Sequence, residues 1–443
     1  MNKENINVRA IALDALMLVT DENMFMNKAL ELALEKYAFL DKKDRALISR
    51  LVHGCLEHII SIDYIIDLFS DVKTEKLRPV IRGILRISVY QLIFMDKIPA
   101  RAVCDEAVKL VAARRLDGLK GFVNGVLRNI DRNRDSIGYV GFSTMYSMPE
   151  WIIDIFKKDY EPETVRKILE SFLKERPLNI RVNTSKTTKE ALIAELQGLG
   201  IKVEESNINK DVLLISNFDS ISELNCINDG RASIQDASSS LLVELLDIPE
   251  DSLVIDVCAA PGGKAIHVAD KLRGSGKVYA FDISENKTKL IVENVEKVGF
   301  KNIETKVFDA RALNQDLVGK ADFVIADLPC SGLGVLGGKP DIKLHLTSEN
   351  VNKLVILQQE ILENVCKYVK QGGYLAYSTC TINRAENADN VNKFLENHKD
   401  FKQVDLNEKV KHLNGIYKNG LNLQLLPIND CDGFFISIFQ KVN

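Results

Sequence analysis

Two cysteines occupy matching places in the chain. Cys330 lies in Asp327-Leu328-Pro329-Cys330-Ser331-Gly332, and Cys380 lies in Ser378-Thr379-Cys380-Thr381. Each follows a short apolar run of strand character, at 323–327 and 374–378. Neighbouring strands of an open α/β sheet bring both thiols to one edge, where such sheets bind ligands. A single cysteine there reads as packing; two, each just past its strand, favour chemistry. A thiol suits one problem in particular. C5 of a pyrimidine is too poor a nucleophile to take a methyl group, and thiolate addition to C6 turns C5 nucleophilic. The thiolate must be favoured by local positive charge, a helix N-terminus or hydrogen bonds. Spacing alone does not rank the two thiols.

The other strand ends repeat the theme. Residues 253–257 run into Cys258-Ala259-Ala260-Pro261-Gly262-Gly263-Lys264, where two glycines open a helix and let a ligand approach the backbone. This is neither G-x-G-x-x-G nor a P-loop, because Ala265 follows Lys264. The next strand ends in Asp282, about 20 positions after the glycine turn, where a carboxylate can accept from ribose hydroxyls. Asp309 follows the third strand and can face an adenine edge, and Asp327 closes the fourth. Three strand-end carboxylates fit a cofactor rich in hydroxyl and amino donors and fit a pyrophosphate badly, since like charges repel.

These residues need a parallel, doubly wound sheet to position them, and the pattern supplies one. From about 233, strands at 253–257, 276–281, 304–308, 323–327 and 374–378 alternate with helices at 263–271, 285–298 and 349–369. Segments 421–426 and 434–440, joined by a Pro-Ile-Asn-Asp-Cys-Asp-Gly turn, read as an antiparallel hairpin at the sheet edge. Upstream, 161–232 reads as a small α/β module, with strands at 178–182, 202–204 and 212–215 and a helix at 189–199. Residues 136–160 read as a linker and connecting helix, the linker proper at 136–150 being marked by Gly138, Gly141 and Pro149. Residues 1–135 show only helical periodicity, at 11–18, 45–60, 79–95 and 101–130.

At 443 residues, with 46% hydrophobic and 27% charged residues, the chain is expected to form two or three globular domains. No apolar run is long enough for a membrane span, and the charged start does not read as a signal peptide, so a cytoplasmic location is expected. None of the eight cysteines forms a Cys-x-x-Cys pair, so neither a metal site nor a disulfide framework is expected. Residues 1–150 carry a net +2 and the remainder −6. A basic front region suits a protein that holds RNA with one part, although ordinary variation among solvated faces explains so small a difference equally well. Basic residues such as Arg114, Arg115, Lys120 and Arg128 could meet phosphates.

The segments Asp256–Lys264, Asp327–Gly332 and Ser378–Cys380 resemble those of the Sun family of RNA 5-methylcytosine methyltransferases. So do Gln235-Asp236-Ala237-Ser238-Ser239 and Leu178-Asn179-Ile180-Arg181-Val182-Asn183-Thr184, and the resemblance covers roughly 150–443. The front helices, including Gly121-Phe122-Val123-Asn124-Gly125-Val126-Leu127-Arg128, look like a NusB-type RNA-binding bundle. That combination is similar to bacterial enzymes that modify small-subunit ribosomal RNA. The resemblance implies a three-part protein: a NusB-like all-α bundle, a small α/β module contacting RNA, and a Rossmann-like catalytic domain over 233–443. It implies S-adenosylmethionine as cofactor, bound by Cys258, Ala259, Ala260, Pro261, Gly262, Gly263, Lys264, Asp282, Asp309 and Asp327. It further implies that Cys380 attacks C6 of a cytidine in 16S ribosomal RNA, that Cys330 assists product release, and that Asp327 also holds the cytosine N3 or amino group. Lys264 is placed near either base or cofactor. A monomer is expected. One departure is visible: around Lys339-Pro340-Asp341-Ile342-Lys343 the family often has arginines before and a tryptophan after, where this chain has Gly337, Gly338 and Leu344. Rival readings are a transfer-RNA or other RNA methyltransferase, a non-catalytic RNA-binding antitermination or assembly factor, and a nucleotide-dependent dehydrogenase. The last lacks its dinucleotide fingerprint.

Overall fold

The computed structural model describes residues 7–442 apart from 219, 412, 414, 415 and 429. The charged start before residue 7 and Asn429 of the expected hairpin turn lie outside the described residues. The chain divides into two compact units, Met1–Leu173 with Leu336–Leu346, and Lys174–Val335 with Thr347–Asn443.

The first unit is helical. Its main helices are Val8–Thr20, Met26–Lys36, Lys42–Glu57, Ile59–Phe69, Pro79–Phe94, Ala100–Ala113 and Lys120–Arg132, followed by Gly141–Tyr146, Glu150–Asp159 and Pro162–Ser171. Their starts carry local signals. Asn7 and Asp41 accept backbone N–H bonds at two N-termini, and Pro79 and Pro162 open two others, where a missing N–H costs nothing. Lys120–Arg132 buries Val123, Val126, Leu127 and Ile130, one face of a 3.6-residue period.

Met26–Lys36 buries Met26 and Ala29, with Leu30, Ala33 and Leu34 half-buried against the same core. Two features depart from the sequence reading. The stretch read as linker contains the helix Gly141–Tyr146, which buries Tyr146. Segment 336–346, read with the catalytic region, groups with the helices. There the Asp341 carboxylate accepts the Met26 N–H at 2.9 Å. The Lys343 ammonium donates to the carbonyls of Glu57 at 2.6 Å and Ser147 at 2.7 Å. Both carbonyls sit at helix ends, where orphan acceptors and the helix dipole favour a cation.

In the second unit a four-stranded antiparallel sheet has the order β2–β3–β1–β4, with β1 Leu178–Val182, β2 Lys202–Glu205, β3 Val212–Ser216 and β4 Ala232–Ile234. The short β4 was not legible in the sequence. Arg181 on β1 is fully buried. It donates to Gln235 Oε1 at 2.7 Å and lies 3.4 Å from Asp270, which also accepts the N–H groups of Thr184 and Ser185. A buried arginine persists only with such partners.

The larger sheet contains β5 Leu253–Asp256, β6 Lys277–Asp282, β7 Ile303–Val307, β8 Ala321–Asp327, β9 Val369–Thr379, β10 Phe401–Gln403, β11 Ile416–Asn419, β12 Asn422–Leu425 and β13 Phe434–Lys441. Its order is β11–β12–β13–β9–β8–β5–β6–β7, with β10 on β13. β5 to β9 are mutually parallel, whereas β12 and β13 are antiparallel, β13 pairing with β9. The expected edge hairpin is present, and β10 and β11 extend it. Strand alternation sends Val254, Phe323, Ile325 and Ala376 to one core. Ile255, Val324, Leu375 and Tyr377 face the other, so the central strands are apolar throughout. Strand order reverses between β5 and β8, which places the ligand crevice at their carboxyl ends.

Burial lowers the Lys343 side chain from 10.5 to about 7. Folded protein therefore binds fewer protons than unfolded protein between those values, and stability rises with pH across that window. Wild type should gain stability relative to Lys343→Met from pH 7 towards 10, by up to about 1 kcal/mol per pH unit. Parallel denaturant titrations of the two proteins check this; equal slopes would exclude it.

Candidate active site

Parallel pairing of β8 with β9 aligns Asp327 with Ser378. The Leu328 N–H donates to the Ser378 carbonyl at 3.0 Å, carrying the pairing past the strand ends. Cys330 comes three residues after Asp327 and Cys380 two after Ser378, so the thiols converge, with sulfurs 3.0 Å apart. The loop beyond Cys330 folds onto the Cys380 loop, Gly334 N–H donating to the Cys380 carbonyl at 3.1 Å and Gly433 N–H to the Gly334 carbonyl at 2.8 Å. Gly334 has no space for a side chain. An added Cβ would lie 2.1 Å from the Gly433 oxygen and 2.9 Å from the Cys380 oxygen.

The hydrogen bond to Cys380, then burial, raise the Cys330 thiol well above the ordinary cysteine range. Either sulfur can donate the hydrogen bond they share. The remaining cysteines are placed differently. Cys55, Cys104, Cys226, Cys366 and Cys431 are buried. Cys258 is part-buried in the glycine turn, its thiol raised by burial.

Beside the thiols, the Lys264 ammonium lies 2.5 Å from Asp327 Oδ2 and 2.7 Å from Ser239 Oγ, and over the Phe434 ring at 5.1 Å. The other Asp327 oxygen accepts from Ser378 Oγ at 2.9 Å. Lys264 and Ser378 thus fix the orientation of this carboxylate. Asp256, at the end of β5, is buried with neither oxygen in a well-formed hydrogen bond. Burial raises its carboxyl to about 7 against the opposing pull of Lys264. The Cys258 N–H bears on this carboxyl, and a buried acceptor so incompletely satisfied has room for a donor brought by a ligand.

Gly262 has φ of 104°, in the left-handed region, and opens the helix Gly263–Lys271. A side chain would be strained at that φ, and an added Cβ would lie 3.3 Å from the Ile291 side chain. Asp282 is buried at the end of β6 and accepts the Ser284 N–H at 3.2 Å. Asp309 sits further out, its carboxylate engaged by the Arg311 side chain, which holds it below its ordinary value. Asp327, Lys264, Cys330 and Cys380 form one cluster, and the sequence reading did not place Asp256, Ser239, Ser378 or Phe434 in it. Ser239 and Ser378 stood inside quoted segments without a role. Phe434 arrives from the edge hairpin, about 100 residues after Cys330, and no local pattern links it to the site. Among the described residues no group of three or more His, Cys, Asp or Glu is placed to hold a metal ion. No described helix is long and apolar enough to cross a membrane.

Comparison with known proteins gives a consistent pattern. A family model described as 16S rRNA methyltransferase RsmB/F matches residues 243–440, the NusB family matches 6–132, and a Methyltr_RsmF/B-like, ferredoxin-like domain matches 148–222. The resemblance read from the motifs, front bundle included, therefore stands. A probable ribosomal RNA small subunit methyltransferase B of Bacillus subtilis is 33% identical over 98% of this chain and 99% of its own. The ribosomal RNA small subunit methyltransferase B of Serratia proteamaculans is 32% identical over 99% of this chain and 100% of its own. A solved structure described as PH0851 superposes with a TM-score of 0.82 at 26% identity, covering 99% of this chain and 100% of that one.

The crowding at Gly334 makes the thiol pairing testable without any substrate. Diamide should join Cys330 to Cys380 in the native protein, read as loss of two hydrogens in the peptide pair by mass spectrometry. Gly334→Ala, which must push the loops apart, should slow that joining by roughly tenfold or more. Equal rates in the two proteins would show that the glycine does not set the approach.

Proposed function

Because this chain belongs to the RsmB/F family of 16S ribosomal RNA methyltransferases, we propose that it methylates C5 of a cytidine in that RNA through a covalent Cys380 adduct. The observation that carries this reading is the 3.0 Å pairing of Cys330 with Cys380, next to the fixed carboxylate of Asp327. Methyl transfer to oxygen or to an amino nitrogen calls for no thiol; transfer to a pyrimidine carbon does.

S-adenosylmethionine, when bound, supplies an activated methyl group. The site fits it on its own chemistry: the buried Asp256 carboxyl, without a well-formed hydrogen bond, can take a further donor, Asp282 suits hydroxyls, and Gly262 makes the left-handed turn that opens the helix Gly263–Lys271. Cys258 to Lys264, Asp282, Asp309 and Asp327 are the residues assigned to hold it. Asp309 meets its ligand edge only if Arg311 yields part of the carboxylate.

The cytosine must leave its stack to expose C6. Asp327 accepts from its exocyclic amino group, and Lys264 holds that carboxylate in place. The Cys380 thiolate adds to C6, and the ring electrons displaced towards C5 make that carbon nucleophilic. After methylation C5 carries both the methyl group and its original proton. A base takes the proton, the C5–H electron pair re-forms the C5–C6 double bond, and the C6–S pair returns to sulfur. Cys330, holding its proton beside that sulfur, donates a hydrogen bond to the departing thiolate. Its raised thiol suits a donor better than a competing nucleophile.

Cys380→Ala is expected to lower methyl transfer by roughly a thousandfold or more while leaving S-adenosylmethionine affinity unchanged by calorimetry. Cys330→Ala is expected to leave RNA attached to Cys380 as an adduct that survives denaturing electrophoresis. The deciding measurement is bisulfite mapping of 16S RNA from cells with and without the protein, alongside purified transfer RNA as substrate. Full turnover by Cys380→Ala, or a modified base other than 5-methylcytosine, would rule the proposal out.

A further inference from the structure

Six residues beyond Cys380, the polar loop after β9 turns a carboxylate inward. Glu386 is fully buried, and its two oxygens reach both cysteine loops. Oε1 accepts the backbone N–H of Ser331, the residue after Cys330, at 2.7 Å. Oε2 accepts the Ser331 hydroxyl at 2.5 Å and the Asn383 amide at 2.9 Å, and lies 3.5 Å from the hydroxyl of Thr381, the residue after Cys380. The Gln358 amide donates to Oε1 at 3.2 Å. The Ser331 and Thr381 hydroxyls also meet each other at 2.8 Å.

We propose that Glu386 is a positioning residue for the thiol pair, tying the Cys330 loop to the Cys380 loop so that Cys330 stays against the Cys380 sulfur. This rests on the cytosine-C5 reading given above. The residue type follows from its surroundings. Ser331 N–H, Ser331 O–H and the Asn383 and Gln358 amides all act as donors, so the position needs acceptors on both oxygens, which a carboxylate provides and an amide does not. Burying a charge is costly unless donors surround it, so the donors and the carboxylate hold one another in a single arrangement. Ser331 contributes two of these bonds, both immediately beside Cys330. The Cys330 loop therefore depends on Glu386 more than the Cys380 loop does, since Cys380 directly follows Thr379, which is still paired with Phe435, whereas Cys330 stands three residues beyond the end of β8. Loss of the carboxylate should release Cys330 first. Cys380 would still attack, and the product would leave slowly.

Glu386→Gln tests this in the full-length protein, because it keeps size and turns one acceptor into a donor facing donors. With 16S RNA and S-adenosylmethionine, turnover should fall by roughly 10- to 100-fold. The KM for RNA should stay within about twofold, as expected of a group that acts after binding, and the RNA–protein adduct should accumulate as in Cys330→Ala. Adduct and turnover falling together, or release at the wild-type rate, would overturn the assignment while Cys330→Ala still traps adduct. If Cys330→Ala forms no adduct at all, the cytosine-C5 reading fails, and this inference with it. Should Glu386→Gln not fold, Ser331→Ala decides: slowed release with adduct supports the tie, and wild-type release refutes it.

Discussion

The parallel pairing of β8 with β9 is the constraint on which the site depends. Because Asp327 stands opposite Ser378, the two chains leave the sheet side by side, and their next few residues must share one space. The sulfurs meet at 3.0 Å, Ser331 meets Thr381, and Gly334 meets both the Cys380 carbonyl and Gly433. A slip of one residue would send each side chain to the opposite face of its strand and separate every one of these pairs. Apolar burial on both faces of β8 and β9 resists that slip.

Around this pairing the protein treats charge in two ways. Where a group only has to stay fixed, it is surrounded by donors: Asp270 has Arg181 and two backbone N–H groups, and Glu386 has Ser331, Asn383 and Gln358. Where a ligand is expected, acceptor capacity is left over: Asp256 has no well-formed hydrogen bond, and Asp327 is oriented by Lys264 and Ser378 with lone pairs to spare. A buried carboxylate so incompletely satisfied costs stability, and folding tolerates it only if the rest of the core supplies enough. The same division explains why the strand-end carboxylates differ among themselves. Asp256 and Asp282 are buried, Asp327 is clamped, and Asp309 pairs outward with Arg311.

Segment 336–346 shows how a short stretch can belong to a distant core. Asp341 and Lys343 satisfy backbone groups at helix ends of the first unit, an N–H at Met26 and carbonyls at Glu57 and Ser147. Leu344, in the same segment, packs on the helical core. The buried ammonium of Lys343 makes this unit respond to pH in a range where most lysines do not titrate.

Much of this was legible in the sequence, because it rests on local signals. Apolar alternation located β5 to β9, helical periodicity located most of the front bundle, and Cys330, Cys380 and the Gly262–Gly263 turn stood just past strand ends. Those features follow from backbone geometry and from the side-chain period, which act within a few residues. Tertiary structure decided the rest. Ser239 and Phe434 reach Lys264, and Gly433 reaches the loop after Cys330, from elements far away in the chain, Glu386 sits in a loop of polar composition, and β4 and β10 are three residues long with no periodicity to read. Hydrogen bonds between residues distant in sequence leave no spacing to detect. The chain alone thus determined which atoms were available for chemistry, and packing determined which neighbours would hold them.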